Sequence, residues 1–136
     1  MKKHTFLLQK LARDKIVEQT EAEGGTVEYR TLEDPVEFLD ALTQKIVEEL
    51  EEVFSAENKE ELTKELADVE EVLAAFKKLV SIDQKDIDAA RAEKLKLKGG
   101  FTKRHYIETM TVSAGSRLHK YCKANPHKYP EVSDEE

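Results

Sequence analysis

Cysteine is almost absent from this chain: Cys122 is the only one in 136 residues. An internal disulfide is therefore excluded, and the usage agrees with a reducing compartment. No activating motif surrounds Cys122, which reads as a surface or half-buried thiol rather than a nucleophile. Long apolar runs are missing as well. No stretch approaches the roughly 18 residues of a membrane span, and Phe6-Leu7-Leu8 is too short an apolar segment for a signal peptide, so a cytoplasmic location is expected. The histidines, His4, His105, His119 and His127, form no Glu-x-x-His or His-x-x-x-His pair, which disfavours a zinc hydrolase or a di-iron bundle. No phosphate-cradling Gly-rich loop, no Gly-x-Ser-x-Gly elbow and no EF-hand loop occurs. Basic residues number 22 against 29 acidic ones, a net charge of −7. That balance argues against long nucleic acids held by phosphate neutralisation, but not against a nucleotide arriving with its own metal.

The residues present point to helices. The length fits one domain, and 39% hydrophobic residues support a modest core that oligomerisation could enlarge. A first helix is expected over residues 10–23, stopped by Gly24-Gly25. Residues 26–31 then alternate like a short strand. Glu33-Asp34-Pro35 opens a second helix, with acidic residues and an early proline at its start. Ser55-Ala56-Glu57-Asn58-Lys59 breaks the pattern before a third helix. A fourth is expected from Gln84, capped by Asp83, to Lys98, ended by Gly99-Gly100. Residues 104–110 read as a second extended segment. The expected fold is mainly α, an antiparallel helical bundle core, to which a small two-stranded β element made by these two segments is an optional addition. The folded domain is placed at residues 1–112. Residues 113–136 form a C-terminal extension with a short helix over residues 117–123, and its end, residues 133–136, is expected to fray.

Two carboxylate doublets carry the chemistry. Glu49 with Glu52, and Glu65 with Asp68, are each spaced i, i+3, about one helical turn. At roughly 100° per residue, Leu39, Leu42, Ile46, Leu50 and Val53 form one apolar stripe, and Leu62, Leu66, Val69, Val72, Leu73, Phe76 and Val80 form another. In both helices the doublet lies about 60° and 120° to the same side of the stripe, while Glu48 and Glu51 point elsewhere. The short break favours an antiparallel hairpin, and the doublets are about equally far from Asn58. They should meet at one level, on one flank, as four oxygen donors for one or two hard cations, magnesium or manganese. The competing reading of residues 48–52 is a solvated helix face.

A second constellation is cationic: Lys94, Lys96, Lys98, Lys103 and Arg104 around Gly99-Gly100-Phe101. It could bind phosphate, or be a helix C-terminus whose lysines favour the dipole.

With these residues in view, Glu48-Glu49-Leu50-Glu51-Glu52 and Glu65-Leu66-Ala67-Asp68 resemble the Glu-Glu-x-x-Glu and Glu-x-x-Asp signature of the all-α nucleoside triphosphate pyrophosphatases, the MazG-like superfamily. Lys10-Leu11-Ala12-Arg13-Asp14-Lys15-Ile16 and Lys98-Gly99-Gly100-Phe101-Thr102-Lys103-Arg104 resemble its phosphoribosyl-ATP pyrophosphohydrolase-like, or house-cleaning, branch. The resemblance spans about residues 7–110. Val17 stands where many relatives have proline. The resemblance implies hydrolysis of a standard or modified nucleoside triphosphate between its α and β phosphates, releasing a monophosphate and pyrophosphate. It implies Mg²⁺, with Mn²⁺ as an alternative, on Glu49, Glu52, Glu65 and Asp68. Glu48, Glu49, Glu52, Glu65 and Asp68 are together the implied catalytic residues, Glu48 as part of the motif with its role less defined than theirs. Arg13, Lys15, Lys94, Lys98, Lys103 and Arg104 become candidates for substrate phosphates or ribose, and a homodimer or higher homo-oligomer is implied. Two alternatives stay open: a helical interaction or regulatory module without turnover, and a phosphoribosyl-ATP pyrophosphohydrolase.

Overall fold

A computed structural model describes residues 2–132; the fraying expected at residues 133–136 falls outside them. The described chain is built from five helices, α1 (Ile16–Ala22), α2 (Pro35–Ser55), α3 (Lys59–Leu79), α4 (Gln84–Lys98) and α5 (Arg117–Ala124). It separates into two compact units, Met1–Lys96 and Leu97–Glu136. No helix among the described residues is long and apolar enough to cross a membrane.

The first unit centres on α2 and α3, which pack along each other as an antiparallel hairpin. Both helices start at side-chain caps. The Asp34 carboxylate accepts from the Val36 N–H at 3.1 Å, with Pro35 in the first turn where its missing N–H costs nothing. Asn58 accepts from the Glu61 N–H at 2.9 Å, and Glu61 reaches back to accept from the Glu57 N–H at 3.0 Å. This reciprocal arrangement is a close variant of the capping box, and it fixes the point where the chain reverses. Lys77 and Lys78 lie in the last turn of α3, where cations favour the helix dipole.

The hairpin seam is narrow. Among the described residues Leu42 on α2 and Val72 on α3 are the buried apolar side chains, 3% and 9% exposed. Phe38, Leu39, Ile46 and Val53 on α2, and Leu62, Val69, Phe76 and Leu79 on α3, are half-buried around them. Four positions expected in the apolar stripes, Leu50, Leu66, Leu73 and Val80, are instead exposed. Two helices can cover only the strip between them, and a stripe wider than that strip is left facing outward.

Two expectations need correction. Helix α1 begins at Ile16, not near residue 10. Lys15 offers no side-chain cap, Gln9 turns the chain with φ +48°, and Lys10 and Arg13 direct their charges to carboxylates of α2 and α3. The end at Gly24, φ +90°, is where the glycine signal put it. The optional β element does not form: among the described residues there is no strand, and residues 26–31 and 104–110 are irregular. Alternation marks a strand only where a partner completes the hydrogen-bond ladder. In the first segment Val27 is half-buried, and Arg30 pairs with Glu37 in the first turn of α2.

Helix α4 starts with the Asp83 carbonyl accepting from Asp86 and Ile87, and Gln84 donates to Asp88 at 2.9 Å. Past it, in the second unit, Gly99 takes φ +79° as the helix ends. Ser116 caps α5 by accepting from the His119 N–H at 3.2 Å. Beyond α5 the Tyr129 ring lies 5.7 Å from that of Tyr121, with the Lys128 ammonium 5.5 Å from the Tyr129 ring centre, and Lys123 pairs with Glu131.

Candidate metal centre

Seven residues beyond Leu42, about 10 Å along α2, Glu49 turns into the seam and is only 6% exposed. Glu52 follows one turn later. From α3, running the other way, Asp68 and Glu65 arrive at the same level. Each of the four offers a carboxylate oxygen, and these oxygens all lie within 4.8 Å of one another. Glu65 and Asp68 are half-buried and Glu52 is exposed, so the cluster opens from a buried floor at Glu49 towards solvent.

The electrostatics are those of a site short of positive charge. Burial first, then repulsion from Glu52, pushes the Glu49 carboxyl above its ordinary range, and the nearby Lys45 ammonium only partly offsets this. Glu52 is raised as well, chiefly by its hydrogen-bonding approach to the Glu65 carboxylate, then by burial and by the charge of Glu65. Glu49 Oε2 and Glu65 Oε2 are buried and accept no hydrogen bond. An unpartnered carboxylate oxygen away from water is costly, and a cation is one partner that would satisfy it.

Four hard oxygen donors without nitrogen or sulfur suit magnesium, manganese or calcium. The oxygens lie close enough together for side-chain adjustment to bring them onto one ion. The donor set fits the implied metal.

Two basic residues that the sequence reading passed over belong to this neighbourhood. Lys45, its side chain 16% exposed, sits 3.3 Å from Glu48 and 3.4 Å from Glu49. The same angular count that grouped the doublet puts Lys45 only about 40° from Glu49 on the helix, so the signal was available. Lys10 reaches Glu48 at 3.2 Å, across a sequence distance no local pattern reveals. Glu48 itself lies outside the quartet. Burial would raise its pKa, but its bonds to Lys10 and Lys45 outweigh that and hold it below the usual value.

The remaining candidates are distributed differently. Arg13 binds Asp68 Oδ1 at 2.6 Å. Lys15 is exposed where α1 begins, and Lys94 is exposed on α4. Lys98, Lys103 and Arg104 belong to the second unit, where with Gly99, Gly100 and Phe101 they line a surface hollow of about 470 Å³. Glu51 is exposed and outside the quartet. Comparison with protein-family models, curated proteins and solved structures finds no match to this chain.

Proposed function

We propose that this chain is a divalent-cation-dependent nucleoside triphosphate pyrophosphohydrolase of the MazG-like kind, cleaving between the α and β phosphates. The observation that carries the reading is the convergence of Glu49, Glu52, Glu65 and Asp68 at one level of the hairpin, with a buried Glu49 oxygen left unpartnered. The substrate class comes from the resemblance of the two acidic motifs and of the flanking basic segments.

Mg²⁺ or Mn²⁺ held by the quartet would supply charge against phosphate oxygens and acidify a bound water for in-line displacement. The chain's own residues then have distinct tasks. Glu49, seated in the seam, provides the rigid donor, while exposed Glu52 adapts to what enters. Lys45 holds the Glu49 side chain from the turn before it. Arg13, bonded to Asp68, and Lys15, exposed where α1 begins, are candidates for substrate charge in the first unit.

A homodimer or higher homo-oligomer belongs to the same proposal. Among the described residues the buried apolar side chains are Leu42 and Val72, while Leu50, Phe54, Leu66 and Leu73 are exposed along the hairpin, apolar surface that a second copy would cover.

The test is pyrophosphate release from a panel of standard and modified (d)NTPs and phosphoribosyl-ATP, with and without Mg²⁺. Metal-dependent release from at least one is expected, and none from any would end the enzyme reading. Glu49→Gln and Asp68→Asn should each lower kcat/KM at least about a thousandfold with helix content unchanged by circular dichroism, since each removes a donor from the centre.

A further inference from the structure

We infer that Arg13 is a built-in competitor of the divalent cation, occupying Asp68 until the ion takes its place; this rests on the metal reading of the quartet. Three observations lead there. The Arg13 guanidinium donates to Asp68 Oδ1 at 2.6 Å, while the two buried oxygens left without a partner, on Glu49 and Glu65, belong to the same cluster. Asp68 thus has a guanidinium on one oxygen, while Glu49, although Lys45 lies 3.4 Å from its Oε1, keeps a second, buried oxygen without a partner, as does Glu65. Next, an ion on that Asp68 oxygen, at a ligand distance of about 2.1 Å, would lie within about 4.7 Å of the guanidinium nitrogen. Two cations so close repel, and the singly charged, solvent-exposed one is free to leave.

Finally, the backbone around Arg13 permits the exchange. Residues 10–13 precede α1 and are irregular, so a side-chain swing there breaks no helical ladder. The segment has a separate anchor, Lys10 on Glu48 at 3.2 Å, and Glu48 is outside the quartet. Lys10 tethers the segment to α2 while Arg13 latches on α3. When the ion enters, the latch opens and the tether stays. Arg13 is a positioning residue in this scheme, and its guanidinium becomes available at the mouth of the site only after the ion has bound.

The test is Mn²⁺ binding to the purified chain without nucleotide, with free Mn²⁺ counted from its electron paramagnetic resonance signal. Arg13→Gln should tighten Mn²⁺ binding about fivefold, the size expected for losing an exposed ion pair that competes with the ligand. Lys10→Gln makes the same charge change beside the quartet and should alter the constant less than about twofold. Arg13→Lys, which keeps the charge, should stay near the parent value. Weaker binding by Arg13→Gln would make Arg13 a supporting donor to the ligating carboxylate and overturn the competition. Equal tightening by both Gln variants would reduce the effect to general charge and overturn it as well. Mn²⁺ binding that is normal in the parent but unchanged in Arg13→Gln refutes this inference alone. No binding by any variant refutes the metal reading with it.

Discussion

Two levels of one hairpin, about 10 Å apart, solve burial in opposite ways. At the first, Leu42 and Val72 are buried and the seam is apolar; at the second, Glu49 is buried almost as deeply, yet one of its oxygens has no partner. The apolar level is explained by stability, because removing Leu and Val surface from water is favourable by roughly 1.5–3 kcal/mol per side chain. The acidic level is not. A carboxylate in the seam, with other carboxylates beside it, works against folding unless something else neutralises it. The difference shows how a small protein can give up stability at a chosen level of its core and keep it at the next.

Three substitutions test this contrast, from large to small effect. Leu42→Ala should cost about 3 kcal/mol in urea unfolding, the usual penalty for emptying a buried leucine site; a loss below about 1 kcal/mol would mean that the apolar level is not what holds the hairpin. Glu49→Gln should do the reverse in the metal-free chain, raising stability by about 1 kcal/mol at neutral pH. The sign follows from the direction of the shift. Because the folded Glu49 pKa is raised above its ordinary 4.5, its penalty is absent below that value and grows as pH rises towards the folded value. Above the folded value the penalty is full. The advantage of Glu49→Gln should therefore vanish in acid, and one that persists below about pH 4 would remove the charge explanation. Glu51→Gln, on an exposed carboxylate outside the quartet, should change metal affinity and unfolding by less than about 0.5 kcal/mol. A gain in stability or a fall in kcat/KM as large as that of Glu49→Gln would contradict the separation of flanks.

Much of the hairpin was legible in the chain. Spacing put Glu49, Glu52, Glu65 and Asp68 on matching flanks, and Asn58 marked the reversal, because helical periodicity and side-chain caps are local properties that sequence carries directly. Helix α4 was legible for the same reason, between Asp83 and Gly99. What escaped depends on contacts between distant segments. Residues 10–15 have helix-compatible composition, but in the fold Lys10 goes to Glu48 and Arg13 to Asp68. Residues 26–31 alternate as a strand does without a partner strand to complete them. The stripes named Leu50, Leu66, Leu73 and Val80 as core because periodicity reports which side of a helix is apolar, not how much of that side a neighbour covers.

The cap at Asn58 has a consequence for length variation in this chain. Both doublets are counted outward from that reversal, so one residue added between Asn58 and Glu65 would turn Glu65 and Asp68 by about 100° and slide them about 1.5 Å, carrying them off their flank. The same addition within residues 56–57 leaves the internal register of each helix untouched. Insertions and deletions are thus permitted in the connection and forbidden on either side of it, and the two helices behave as a single unit of fixed spelling joined by a clasp of adjustable length.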